Sequence, residues 1–234
     1  MSDISQLEKL LQITFDNKDI LQTALVHRSY INEHHNFHLD HNERLEFLGD
    51  AVLELIVTEN LYTKYPNPEG DLTNWRASLV NAQMLGELAQ DFQLNNFIKL
   101  SRGEAKDDNT KARQYILANA FEALIGAIFL DQGWDVAKDF VLKNLISKLP
   151  YILEHGLHLD PKSRFQEASQ DKLGITPTYQ VLDETGPDHA KHFRVGVFLD
   201  DDLVAEGTGT SKQEAQVSAA TAALEVKGWQ NFEN

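Results

Sequence analysis

The spacing of apolar residues in this 234-residue chain changes once, and that change limits the possible folds more than any other feature. Up to about residue 153, apolar side chains recur at intervals of three and four: Leu7, Leu10 and Leu11; Ile20, Leu21, Ala24 and Leu25; Leu45, Leu48, Val52, Leu55 and Ile56. This is the repeat of amphipathic helices. Pro66, Pro68 and Gly70 interrupt it after Tyr65. Helices are predicted to restart near Asp71, to cover 82–91 and to run over 113–131, with 101–110 as a polar loop. Past LEHGLHLDP at 153–161, punctuated by Gly156 and Pro161, the pattern shortens. Residues 162–173 still read as helix, but 179–183, 192–199 and 203–208 read as strands. Turns are expected at Gly186-Pro187 and over 200–202, followed by an alanine-rich helix over 211–227 with Ser211 as N-cap. The expected architecture is an all-α domain over 1–153, a linker over 154–160 and a small α+β domain, α-β-β-β-α, over 161–230.

Composition narrows the function classes. With 42% apolar and 24% charged residues the chain is not disordered. It has no cysteine, so disulfides, thiolate metal sites and cysteine nucleophiles are excluded. The best apolar run, 123–130, is too short to cross a bilayer. The start, MSDISQLEKLLQ, has neither a basic region nor an apolar core, so a cytoplasmic protein with no membrane partner is expected. The net charge of −15, from 21 basic and 36 acidic residues, speaks against nucleic acid as a partner by bulk charge. A nucleic-acid function has to rest on individually placed residues.

Two groups of carboxylates need explaining. HNERLEFLGDAVLELI at 41–56 carries Glu43, Glu46, Asp50 and Glu54. On a helix the first three fall at i, i+3 and i+7, on one face. A solvated acidic face is one explanation. Glu122 is harder to dismiss, because it lies inside the apolar run ANAFEALIGAIFL. A helix apolar on nearly all sides is buried, and a carboxylate there must be protonated, paired or metal-bound. Asn119 lies one turn earlier on the same face. Hard oxygen donors on two helices suggest Mg²⁺; the alternative is an ion pair between Glu122 and Arg44, Arg76 or Arg113.

These segments resemble the ribonuclease III family. HNERLEFLGDAVLELI is similar to the family signature, and ALVHRSY at 24–30, PEGDLTNWRASLVN at 68–81 and LANAFEALIGAIFLD at 117–131 are similar to its other characteristic stretches. KSRFQEASQDKLGITPTYQV, GPDHAKHFRVGVFL and GTGTSKQEAQVSAATAAL resemble the three parts of a double-stranded-RNA-binding domain. The resemblance implies an all-α endonuclease domain that forms a homodimer, followed by that binding domain. It implies Mg²⁺-dependent hydrolysis of both strands of double-stranded RNA, with Mn²⁺ able to substitute and no small-molecule cofactor. The products would carry 5′-phosphates and short 3′ overhangs, and the usual substrates are ribosomal RNA precursors and structured messages. Glu46, Asp50 and Glu122 match the catalytic carboxylates: Glu46 and Glu122 as metal ligands, Asp50 as the group that orients metal-bound water. Glu43 and Glu69 match supporting acids near the RNA and the dimer edge. The seam of the dimer is expected around Phe47, Leu48 and Val52, residues that serve equally well as intramolecular core.

The chain departs from the family at Asn119, where Asp is usual. Asn keeps a carbonyl oxygen for a metal but drops a charge, leaving three acids. A weaker metal site is expected; a non-catalytic double-stranded-RNA-binding protein is the alternative. In the tail, Gln166 and Glu167 match residues that reach one minor groove of A-form RNA, His189 one that reaches the next, and Lys212 a phosphate contact at a helix N-terminus. Gln213 and Glu214 stand where the family often has positive charge. Arg102, Lys106, Lys111 and Arg113 are further candidates for phosphate contacts, or solvated charges. His34, His35, His38 and His41 read as a solvated loop, with a transition-metal cluster as the alternative.

Overall fold

The stretch 117–128 is apolar around its whole circumference, so the helix it forms becomes the centre of a bundle rather than one of its walls. In the computed structural model, which describes residues 4–106, 110–158, 160–187 and 191–229, this helix is α7 (Lys111–Asn144). Thr110 caps it by accepting the Arg113 amide at 3.1 Å. Helicity runs past residue 131 to Asn144 because Gly133, at φ 84°, supplies a kink that restarts the helix. By length and composition the stretch Lys111–Glu154 is apolar enough to cross a membrane, but Leu117, Phe121, Leu124, Ile125 and Ile128 are all buried within its own unit.

Of the helices that precede α7, namely α1 (Ile4–Leu11), α2 (Lys18–Ala24), α3 (Arg28–Glu33), α4 (Glu43–Lys64), α5 (Glu69–Leu79) and α6 (Ala82–Asp91), it is α2, α4 and α6 that pack against it, and the short α8 (Leu149–Glu154) follows it. The loop before α7 holds a 3₁₀ turn at Glu104–Lys106. Helix α4 buries Val52, Leu53, Ile56, Val57 and Leu61. Burial of such side chains contributes about 1.5–3 kcal/mol each. The first compact unit is Met1–Leu149 and the second Pro150–Asn234.

In the second unit, α9 (Pro161–Leu173) starts at Asp160, whose carboxylate accepts the amides of Lys162 and Ser163, and stops at Gly174 with φ 72°. The strands β1 (Thr178–Thr185), β2 (His192–Leu199) and β3 (Asp202–Gly209) form an antiparallel sheet in chain order. Pairing of Leu199 with Asp202 leaves a two-residue turn, and Asp200 takes φ 52° there, a conformation Asp tolerates better than most residues. Helix α10 (Lys212–Lys227) lies on the sheet through Ala215, Ala219, Ala220 and Ala223. A Cβ on Gly207 would fall 2.1 Å from the Ala219 nitrogen, so β3 and α10 touch backbone to backbone. The order helix, three strands, helix is the expected one, with strand ends extended by one or two residues.

Candidate active site

Helix α4 sets Glu46, Asp50 and Glu54 one turn apart on one side, and α7 sets Asn119, Glu122 and Gly126 on one side of its own. The two sides meet because each helix has a glycine at the crossing. A Cβ on Gly49 would fall 1.8 Å from the Glu122 carbonyl oxygen, and one on Gly126 would fall 2.3 Å from the Leu45 carbonyl oxygen. No side chain separates the two backbones there. The glycines therefore bring Glu46 and Asp50 up against Asn119 and Glu122.

The electrostatics follow from that approach. Burial, then the charges of Asp50, Glu46 and Glu54, push Glu122 up from 4.5 to about 7. Burial, then Glu43 and Asp50, also raise Glu46, while a hydrogen bond donated by Asn119 pulls the other way. Asp50 is exposed beside them. None of the arginines that offered an ion-pair explanation figures among the charges acting on Glu122. Arg76 sits 3.1 Å from Glu54, Arg113 donates to the Glu104 carbonyl at 2.7 Å, and Arg44 is exposed.

This is an oxygen-donor set with excess negative charge, which fits a hard divalent cation. Among the described residues no three His, Asp or Glu side chains stand ready to hold an ion as placed. Asn119 donates a hydrogen bond to Glu46, which leaves lone pairs on the Glu46 carboxylate and the Asn119 carbonyl oxygen open to a cation.

The remaining candidates are dispersed. Glu43 opens α4, 3.2 Å from Arg28 and 3.7 Å from His41. Glu69 opens α5, accepts a hydrogen bond from Thr73 at 2.9 Å and lines a separate 170 Å³ cavity with Thr58, Leu61, Leu72 and Arg76. The histidines serve separate purposes. His34 stacks on Tyr30 at 3.9 Å, His38 lies beside Phe37, and His41 is 3.6 Å from Asp40. In the second unit Gln166 and Glu167 are exposed on α9, and Lys212 opens α10 with its ammonium 5.7 Å from the centre of the Phe193 ring. His189 lies outside the described residues. Glu214 has a local use: its carboxylate accepts the amide and hydroxyl of Thr210 at 2.9 and 2.6 Å, while Ser211 caps the Glu214 amide. Its charge is therefore tied to the start of α10.

One feature escaped the sequence reading: the glycine contact, whose signal was two small residues flanked by carboxylates on separate helices. Glu54, noted among the carboxylates of α4, was given no role there. Of the residues open to seam or core, Val52 is 6% exposed and belongs to the core, whereas Phe47, five residues away, is 81% exposed.

Two family models match the chain: a Ribonuclease-III-like model over residues 17–149 and the double-stranded RNA binding motif over 161–227. Ribonuclease 3 of Streptococcus gordonii is 43% identical over 227 residues, covering 95% of this chain and 97% of that protein. Ribonuclease 3 of a Sulfurovum species is 44% identical, covering 97% and 99%. Among solved structures, the nuclease domain of ribonuclease III from Campylobacter jejuni superimposes with a TM-score of 0.56 at 38% identity, covering 64% of this chain and 98% of that one. A further structure of that domain, at the same TM-score and identity and covering 63% and 99%, is described as flexible in a region involved in dimer formation.

Proposed function

This chain belongs to the ribonuclease III family and is an endoribonuclease of double-stranded RNA, and from that premise we propose that it hydrolyses both strands of the duplex with Mg²⁺ as cofactor, leaving 5′-phosphates and short 3′ overhangs. The observation that carries this reading is the meeting of Glu46, Asp50, Asn119 and Glu122 across the Gly49–Gly126 contact. A bound Mg²⁺, or Mn²⁺ in its place, supplies charge stabilisation at the phosphate and an activated water. Glu46, Glu122 and the Asn119 carbonyl oxygen are the groups that would hold it. Asp50, exposed at the same spot, orients the attacking water. The half-buried position of Glu122 strengthens its attraction for a cation and keeps bulk water from screening it.

Cutting both strands requires two such sites, and we assign them to a homodimer. Along α4, Phe47, Ala51, Leu55 and Tyr62 form an exposed apolar stripe. Phe47 lines an 810 Å³ cleft with Ile20, Leu45, Leu48 and Leu130, roomy enough for a phenyl ring from a second copy. The seam thus uses Phe47 and Leu48, with Val52 left to the core. Lys212, Gln166 and Glu167 supply duplex contacts from the second unit as individually placed residues, since both units are acidic in bulk. Structured precursors of ribosomal and messenger RNA in the cytoplasm are the proposed substrates.

The test is incubation of the purified chain with a perfect RNA duplex, a single strand and a DNA duplex, in Mg²⁺ and in Mn²⁺. Cleavage of the RNA duplex alone, to 5′-phosphate ends, is expected. Glu122→Gln should bind the duplex within a few-fold of the parent and leave it uncut. Duplex binding without cleavage in either ion would establish the binding-protein alternative that Asn119 favours.

A further inference from the structure

From Leu117 to Ile128, α7 is buried except at Asn119 and Glu122. Followed back toward the start of the helix, the side that carries those two residues passes Tyr115, one turn before Asn119, and Lys111, one turn before Tyr115. At 3.6 residues per turn the four side chains fall within about 80° around the axis. Both earlier residues are exposed, and Tyr115 keeps 50% of its surface in solvent. The same helix buries Leu117, Phe121 and Leu124, so the packing covers the other large rings and chains and leaves this one out. Among the described residues no group takes up the Tyr115 hydroxyl and no carboxylate pairs with Lys111. The side of α7 that ends in an acid thus begins with an ammonium and a phenol, both hydrogen-bond donors with no use inside the protein.

Their spacing suits a polyanion that runs along the helix. At 1.5 Å per residue, Tyr115 lies about 6 Å from Asn119 and about 10 Å from Glu122 along the axis, and helical side chains lean back toward the N-terminus, away from the acids. That is beyond hydrogen-bond reach of a phosphate held at the acids, and it lies in the path of the strand that continues from it. We propose that Tyr115 and Lys111 form a phosphate subsite on α7, the phenol donating to, and the ammonium neutralising, a backbone phosphate that flanks the one cut at the Glu46–Asp50–Glu122 centre. The subsite rests on the reading of that centre as the nuclease site. Both are positioning residues: a phosphate contact carries no base sequence, but it fixes which linkage lies over the acids.

The full-length chain is assayed on an RNA duplex with one defined cut site, and on duplexes in which one linkage near that site at a time is a neutral methylphosphonate. Tyr115→Phe removes only the hydroxyl; it should melt with the parent, lower kcat/KM about five- to tenfold, chiefly through KM, and spread cuts to adjacent linkages. Lys111→Gln should lose a similar factor, and less of it at high salt. On one flanking-substituted duplex the parent itself should lose about tenfold, and there alone Tyr115→Phe should cost less than twofold more. Duplex affinity without divalent ion should fall by the same factor in Tyr115→Phe, a readout that does not depend on cleavage. Tyr151→Phe, at another exposed tyrosine, is the control and should match the parent. A Tyr115→Phe variant within twofold of the parent in both affinity and kcat/KM, or one whose loss is equal on every duplex, overturns the subsite. A parent that binds the duplex and never cuts it overturns the nuclease reading instead, and the affinity comparison then decides the subsite by itself.

Discussion

Replacing Gly49 with alanine adds one carbon, and the structure says where it goes. The new Cβ would sit 1.8 Å from the Glu122 carbonyl oxygen and 2.9 Å from the Gly126 nitrogen, whereas ordinary contact begins at 3.4 Å. Helices α4 and α7 must therefore part by about 1.5 Å, because neither obstructing atom is on a side chain that can turn away. Overpacking costs about 1–3 kcal/mol where side chains yield, so a cost of about 3 kcal/mol is expected here. For a chain of this size that corresponds to a fall of roughly 6–12 °C in melting temperature. The same displacement separates Glu46 and Asp50 from Asn119 and Glu122. A misplacement of about 1 Å costs around 10²-fold in rate, so cleavage should fall by at least about that factor. Gly70→Ala is the control, since nothing lies within 4 Å of its added carbon. It should stay within about 0.5 kcal/mol of the parent or gain slightly. Thermal melts and initial rates on a perfect RNA duplex at saturating Mg²⁺ measure both effects. If Gly49→Ala melts within a degree or two of the parent and cuts within twofold of its rate, the glycine contact does not assemble the site.

Glu122→Gln should stabilise the metal-free protein at pH 8 and not at pH 4. The folded-state pKa of about 7 lies above the ordinary 4.5, so the cost of ionising Glu122 is absent below pH 4.5 and complete above pH 7. After allowance for screening of a half-buried carboxyl, the gain is on the order of 1–2 kcal/mol, read from urea melts across pH; equal gains at both pH values would refute the assignment. Asn119→Asp should lower the Mg²⁺ concentration for half-maximal cleavage several-fold. It should also destabilise the metal-free protein by about 1 kcal/mol, because the side chain that now donates to Glu46 becomes a second carboxylate facing it; a Mg²⁺ titration with paired melts checks both parts. Deleting residues 156–234 should leave a folded nuclease unit whose cleavage is weak at physiological salt and recovers at low salt, since the duplex contacts of Gln166, Glu167 and Lys212 go with the tail. Undiminished cleavage by the truncated chain at physiological salt would show that the RNA anchor lies elsewhere.

What could be read along the chain was angular. The three- and four-residue spacing placed Glu46 and Asp50 on one side of α4, the apolar setting of Glu122 announced its burial, and the shortened repeat after residue 161 marked the strands of the second unit. Ser211 and Glu214 carried the start of α10 in their own side chains. All of these depend on neighbours within a turn or two, which the order of residues supplies directly. The crossing of α4 and α7 does not. Gly49 and Gly126 are 77 positions apart, and nothing local to either says that the other's backbone fills the space its missing Cβ leaves. The same holds for Arg76, which offered itself as a partner for Glu122 and is held by Glu54 instead. It holds also for Val52 and Phe47, both apolar on one helix, of which the bundle buries the first and leaves the second open. Periodicity fixes where a side chain points around its own helix axis; only the packing of one axis against another decides what it meets there.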